Sequence, residues 1–328
     1  MTRAAIWLLT AGLLLFVAVL VSQGLTAVFA TLAVAGWGLL LLALLHLVPL
    51  GLDAGSIRVL FEPHRLPRPV AATVLARWVG ESANSFLPAG PIGGPVVMAR
   101  HLAMRGMPIS EAAACVTVST TLQALAQVVF ALMGVLVLGA QASSMARHAV
   151  WLPLSLAGGV LVFCLTGFYW TQRRGLYGKL MRAAARLAGR SDWSQWVDQA
   201  HSIDAAVQKA YARRGPAVVS FALSLVGWIV GTAEVYLVLL LLRSPVGWGD
   251  ALLLESLGQA IRAAGFAIPG SLGVQEGGYL LLAPLAGLRP ETALALSLAK
   301  RAREVVLGVP GLLYLHWSER GLRRRLAI

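Results

Sequence analysis

The chain has 328 residues, with 27 Lys and Arg against 14 Asp and Glu, and a formal net charge of +13. It is 58% hydrophobic and only 12% charged, with a mean hydropathy of +0.76. Soluble domains carry about 25% charged residues, so this composition excludes a cytosolic enzyme, a secreted domain and a disordered tail, and leaves a polytopic membrane protein.

No Asp, Glu, Lys or Arg occurs from Ala4 to Leu52, from Ala112 to Ala146, or from Ala149 to Gln172. About 20 apolar residues cross a hydrocarbon core, so these runs are long enough to span. In chain order the sequence predicts full spans at 4–22, 26–48, 109–140, 149–170, 216–242 and 291–317. The first reads as an uncleaved helix rather than a signal peptide, because no small-x-small site closes it. Lys and Arg gather in the 49–69 loop, in the 171–215 segment and at Arg320–Arg325, which places these regions and both termini on the cytoplasmic side. The 171–215 segment reads as two amphipathic helices lying on the membrane, one striped by Leu176, Leu180, Ala184 and Leu187. The other is striped by Trp193, Trp196, Val197, Ala200, Ile203 and Val207.

Two apolar stretches, 70–106 and 251–288, must enter and leave on the same side if the flanking spans are to alternate. Each is interrupted by Pro and Gly, at Leu87-Pro88-Ala89-Gly90-Pro91-Ile92-Gly93-Gly94-Pro95 and at Ile268 to Gly278. Pro blocks helix continuation and Gly permits positive φ, so both are predicted to be re-entrant hairpins. With the helix after each, they form an expected inverted repeat, 70–140 and 251–317, inside a single all-α membrane domain of about six full spans. Polar trios match between the halves: Arg77, Glu81 and Asn84, then Glu255, Gln259 and Arg262, each spaced four then three along one helical face. Paired broken segments of this kind point to a transporter's midplane binding site.

Ionisable groups inside a membrane are costly and are functional suspects by default. The span 291–317 carries Lys300, Arg301, Arg303 and Glu304, with Lys300 and Glu304 four apart and able to pair, and with Ser297, Gly308 and Gly311 on the same face. Arg77–Glu81 is a second such pair. Glu234 lies in the middle of its span and Glu276 in the second Pro/Gly break, which makes both candidates for proton coupling. Counted together, Arg77, Arg100, Arg262, Lys300, Arg301 and Arg303 outnumber Glu81, Glu234, Glu255, Glu276 and Glu304, an excess suited to an anionic or hydroxyl-rich lipid head group. The competing reading is that the pairs only pin helices together.

No P-loop, zinc motif or clustered His occurs, so neither a cofactor nor a metal is expected, and no catalytic residue is assigned. The six histidines are scattered. Cys115 and Cys164 fall in apolar runs and read as small buried hydrophobes.

The stretch Arg77-Trp78-Val79-Gly80-Glu81-Ser82-Ala83-Asn84-Ser85-Phe86-Leu87-Pro88, running into Gly93-Gly94, resembles the first signature of the flippase-like family, the transmembrane region of lysylphosphatidylglycerol synthase. Ile268 to Gly277 resembles its second signature. Within that family the chain is most similar to hopanoid-biosynthesis-associated membrane proteins. The resemblance implies lipid translocation across a bacterial inner membrane, with the two hairpins forming the path and membrane lipids, anionic or hopanoid, as partners. Lipid-biosynthesis enzymes are possible partners; nucleic acid is not expected. Glu81, Asn84, Pro88, Pro269 and Glu276 occupy the family motifs, whereas Arg77, Glu255, Arg262, Lys300, Arg303 and Glu304 come from helical geometry. The synthase's soluble aminoacyl-transferase region has no counterpart in this sequence, so that activity is not carried over. Two other functions compete: a membrane-embedded enzyme or enzyme subunit modifying a lipid head group, and a scaffold docking enzymes through 171–215.

Overall fold

The computed structural model describes residues 33–66, 69–86, 90–141, 166–172, 174–176, 178–179, 194–266 and 268–326, with isolated positions 30 and 159. The expected span 4–22 and most of 149–170 lie outside the described residues, as do Pro88 and most of the first amphipathic stripe. The regular elements among the described residues are helical. They are α1 (Gly38–Arg58), α2 (Ala71–Phe86), α3 (Gly90–Ala103), α4 (Ile109–Gln141), α5 (Ser194–Ala212), α6 (Arg214–Leu241), α7 (Trp248–Ala264), α8 (Val274–Leu282) and α9 (Pro290–Leu326), with short 3-10 turns between some of them.

Among the described residues three helices, α1, α4 and α6, are long and apolar enough to cross a membrane. Their outward faces remain apolar: Leu40, Leu44 and Val48 on α1, Val129 and Leu136 on α4, and Val218 and Leu240 on α6 are exposed. Helix α9 presents Val305, Val309 and Leu313 in the same way. A surface this greasy is the complement of lipid. Helix α9 covers the expected 291–317 span but is too charged to qualify on composition.

Two boundaries differ from expectation. The second span, expected at 26–48, is interrupted by a turn at Gly36, whose φ is +50°. The helix then restarts at Gly38 and continues through Pro49 to Arg58, ten residues beyond the predicted end. Proline removes one ladder hydrogen bond, and the extensive packing of α1 on α6 outweighs that loss. Gly227 of α6 faces this stretch of α1 at ordinary contact distance, a Cβ there lying 3.6 Å from Asp53 and 3.9 Å from the Pro49 carbonyl. The consequence is large for the site: Asp53, expected in a cytoplasmic loop, becomes a residue of α1. The first Pro/Gly break is likewise shorter than expected. Helix α3 starts at Gly90 and accommodates Pro91 in its first turn, where an N–H has no intrahelical partner anyway.

Both apolar stretches fold as helical pairs with antiparallel arms. In the first, a Cβ on Gly80 would sit 2.4 Å from Met98 and one on Gly94 would meet the Asn84 side chain. In the second, Gly258 faces Tyr279 and Gly265 faces Val274. The turn of the second pair uses left-handed backbone at Gly270 (φ 63°), Ser271 (φ 49°) and Gly273 (φ 77°), which explains its glycines. The tips meet: a Cβ at Gly270 would lie 3.2 Å from the Ser85 carbonyl. Each pair also reaches across the bundle, α2 packing on α9 and α7 on α4, while α3 packs on α4 and α8 on α9.

The second amphipathic stripe does not lie on a membrane. Ala200 is buried, and Val207 of α5 lies in a cluster with Cys115, Val118 and Leu122 of α4, with Ile203 packed against it, so its described apolar face is covered by protein. Trp193 lies outside the described residues. Lys209 of α5 binds Glu62 in the loop after α1 at 2.5 Å, and this hydrogen bond holds the Glu62 carboxyl below the usual carboxylate range.

Helix crossings at glycine generate a stability prediction. A Cβ on Gly134 of α4 would come within 1.8 Å of Ser256 on α7, whereas one on Gly51 meets nothing within 4 Å. Gly134→Leu should destabilise the protein by about 1–3 kcal/mol through overpacking. Thermal unfolding in detergent should show a lowered midpoint for Gly134→Leu and an unchanged or raised one for Gly51→Leu.

Candidate functional site

At the centre of the bundle lies a cavity of about 370 Å³, walled by α1, α2, α3, α4, α6, α7 and α9 and by the turn of the second hairpin. Its lining mixes apolar groups such as Leu50, Met98, Trp228 and Phe266 with the amides Asn84, Gln123, Gln127 and Gln259 and with ionisable side chains. The fold brings both polar trios to this one space: Arg77, Glu81 and Asn84 from α2 face Glu255, Gln259 and Arg262 from α7.

The charges are organised mainly as pairs between helices, with Arg301–Glu304 an added contact within one. Arg77 does not pair with Glu81 four residues on; its Nη2 donates to Asp53 of α1 at 2.7 Å, and Gln123 of α4 donates to the same carboxylate at 2.6 Å. Lys300 does not pair with Glu304 either. Its ammonium binds Glu255 of α7, a carboxylate that also accepts from Gln259 at 2.9 Å and from the Tyr279 hydroxyl at 3.3 Å. Glu304 instead takes Arg262 at 2.7 Å and Arg301 at 3.2 Å. Both corrections have one cause. A neighbour on the same helix is reached only by holding two flexible chains along a surface. A partner on a facing helix is reached in the desolvated interior, where leaving it unpaired is costly.

Glu234 lies buried on α6 and binds Arg303 of α9. It also faces the Nδ1 of His46 at 2.8 Å, while the Nε2 of the same ring faces Glu81 at 2.7 Å. His46 and Asp53 were not singled out from the sequence. A lone His in a charge-free predicted span was the available signal, as was the Gln123/Gln127 pair spaced four apart in another. Asp53 gave no signal, because Pro49 suggested that the span had already ended.

Glu276 sits away from the cavity. It opens α8, accepts the Gly273 N–H at 2.8 Å and the Ser297 hydroxyl at 3.0 Å, and binds Arg301 at 3.1 Å. Arg301 in turn donates to the carbonyls of Gly270 at 2.6 Å and Ser271 at 3.1 Å. Non-helical backbone at membrane depth needs such partners, so Glu276 and Arg301 together hold the turn that contains Pro269. Lys300 is also off the cavity wall, 1% exposed behind Glu255. Gly308 and Gly311 of α9 admit Phe86 and Ser82 of α2, the hairpin contact expected of that face.

The cation excess expected from the sequence disappears in three dimensions. Arg100 is exposed on α3 away from the cavity, Asp53 joins the acids, and each of Arg77, Arg262, Lys300, Arg301 and Arg303 has a carboxylate partner. Among the described residues no group of His, Cys, Asp and Glu is arranged to hold a metal ion.

Residues 5–311 match the family model of the lysylphosphatidylglycerol synthase transmembrane region. Searches of curated proteins and of solved structures found no match. The match spans nearly the whole chain, and the protein belongs to this family of multi-pass membrane proteins.

The Lys300–Glu255 pair supplies a direct test of the interior charges. Lys300→Met should cost roughly 3–5 kcal/mol by stranding a buried carboxylate. Lys300→Met combined with Glu255→Gln should recover most of that loss, read as the unfolding midpoint of the detergent-solubilised protein.

Proposed function

We propose that this member of the lysylphosphatidylglycerol synthase transmembrane family is a lipid translocase, carrying a lipid head group between leaflets while the acyl or polycyclic tail stays in the bilayer. The observation that carries the reading is the polar cavity at the meeting point of two helical hairpins in an otherwise apolar bundle. A head group needs such a lining to leave water, and a tail needs the apolar flanks that Met98 and Phe266 provide.

The packing supports an inverted repeat. Long helix, two-armed hairpin and long helix occur in the order α1 to α4 and again in α6 to α9. In each half the first arm packs on the other half's last helix, and the second arm on its own. With the charge-based topology, in which the two hairpins enter from opposite faces and the termini are cytoplasmic, this gives the site access from both sides.

Within this reading the head group is hydroxyl-rich rather than anionic. The cavity's guanidinium groups already have carboxylates, so a phosphate finds no spare cation, while Asn84, Gln127 and Gln259 line the wall with amides suited to hydroxyls. That favours a hopanoid-type cargo in a bacterial inner membrane over an anionic phospholipid. We assign no catalytic role to the site.

Leaflet-resolved and membrane-fractionated lipid analysis tests this reading in cells lacking the gene, complemented with wild type or Glu81→Gln. The expected outcome is an intact lipid inventory with one species, a hydroxylated hopanoid first, in the wrong leaflet or membrane, restored by wild type and not by Glu81→Gln. Disappearance of a lipid species would instead assign the site to head-group chemistry.

A further inference from the structure

One feature of the cavity wall is not used by head-group binding: an imidazole whose two nitrogens both face carboxylates. His46 stands between Glu81 at 2.7 Å and Glu234 at 2.8 Å. A neutral imidazole has one N–H donor and one bare acceptor nitrogen. The bare nitrogen cannot bond an ionised carboxylate, because two lone pairs would then face each other. Both short contacts are therefore made only if the ring carries two protons or one of the carboxylates carries one. Either way, the three side chains hold one proton beyond a neutral ring and two carboxylates.

A second observation, independent of the first, is the charge total. Among the described residues the interior pairs comprise the carboxylates Asp53, Glu81, Glu234, Glu255, Glu276 and Glu304 and the cations Arg77, Arg262, Lys300, Arg301 and Arg303. Six against five leaves one negative charge. An unbalanced charge inside an apolar bundle is costly, and the extra proton on the His46 group removes it. The charged groups around His46 come from all sides: Glu81 on α2, Glu234 on α6, Arg303 on α9 and Asp53 on its own helix.

We propose that His46, Glu81 and Glu234 form a proton-binding site that couples head-group movement to proton flow. The coupling rests on the translocase reading above; the bound proton does not. The geometry gives the site a wet and a dry end. The Glu81 side chain is 30% exposed, whereas Glu234 is 2% exposed and tied to Arg303. Glu81 also sits on a hairpin arm, while His46 and Glu234 sit on the closely packed α1–α6 pair. Movement of the hairpin as a head group passes parts His46 from Glu81 and leaves the Glu234 contact in place. The ring proton that faced Glu81 then leaves to cavity water, and reprotonation from the other side restores the bridge.

Two measurements on the full chain test this. In nanodiscs, nitrogen-15 imidazole spectra assigned with His46→Gln should show at pH 7.5 either a doubly protonated His46 ring or a protonated-carboxyl infrared band that Glu81→Gln or Glu234→Gln removes. A singly protonated ring with no such band overturns the proton site. In liposomes holding an isotope-labelled polyhydroxylated hopanoid or tail-labelled glucosyl diacylglycerol, a gradient of one pH unit should shift the leaflet ratio of the transported lipid by up to about tenfold for one proton per lipid. Glu81→Gln should abolish that shift. Movement of a labelled lipid that ignores the gradient overturns the coupling and leaves the translocase reading standing. No movement of either lipid, with the bound proton observed, removes the translocase reading and the coupling while the proton site remains.

Discussion

The structure depends on one constraint: a charge inside an apolar bundle needs an opposite charge within reach. Helix α9 carries four ionisable residues in five positions, 300–304, and each binds a group elsewhere in the bundle. Lys300 ties α9 to α7, Arg301 to α8 and its preceding turn, Arg303 to α6, and Glu304 to α7 again. Apolar packing between helices in lipid has little preference for one partner over another, because lipid tails are as apolar as leucine. Charges that must be matched supply the missing specificity. A rotated or shifted α9 would strand several of them at once, so the pairing fixes how both hairpins sit against this helix.

The hairpins follow from the same constraint applied to backbone. A turn placed at membrane depth exposes N–H and C=O groups that need partners. In the second hairpin Arg301 and Glu276 provide them, and the left-handed residues Gly270 and Gly273 give the chain its reversal. In the first, Asn84 accepts the Gly94 N–H at 2.8 Å across the arms. The residues of the two broken segments therefore divide into two kinds. Glu276 holds a turn, whereas Glu81 faces the cavity; Asn84 faces the cavity and also ties the two arms of its hairpin together. Similar conspicuousness in sequence covers different physical work.

The sequence made the membrane class, the two broken segments and most of the cavity's ionisable residues legible, because apolar run length, Pro/Gly interruption and helical spacing are local properties. Arg77, Glu81, Asn84, Glu255, Arg262, Arg303 and Glu304 all reach the cavity. What local spacing could not give was partnership. Arg77–Glu81 and Lys300–Glu304 satisfy the four-residue rule on paper, yet the folded chain offers each a facing carboxylate or cation from a distant segment, and the buried partner wins. Asp53 was hidden by Pro49, since helix continuation through a proline depends on tertiary packing that no window of sequence contains. His46 was hidden by its isolation: one ring in a charge-free run has no neighbour in sequence to mark it. The amphipathic stripe of α5 failed for a related reason, because periodicity shows that a face is apolar and not whether lipid or protein covers it.

Pairing also bears on the lipid translocation we propose. Two unit charges at 4 Å interact with about 4 kcal/mol at an effective dielectric of 20, and more as water is excluded. An unpaired guanidinium in this cavity would hold a phosphate strongly enough to slow its release, and transport needs entry and exit alike. Carboxylates that already occupy the guanidinium groups leave a lining that is polar without a net hold on an anion. Amides and hydroxyls can then exchange one hydroxyl partner for the next along the wall at small cost per step. On this argument the dense charge of the site serves the fold first, and the head group meets mainly the uncharged polar groups that the pairs hold in place.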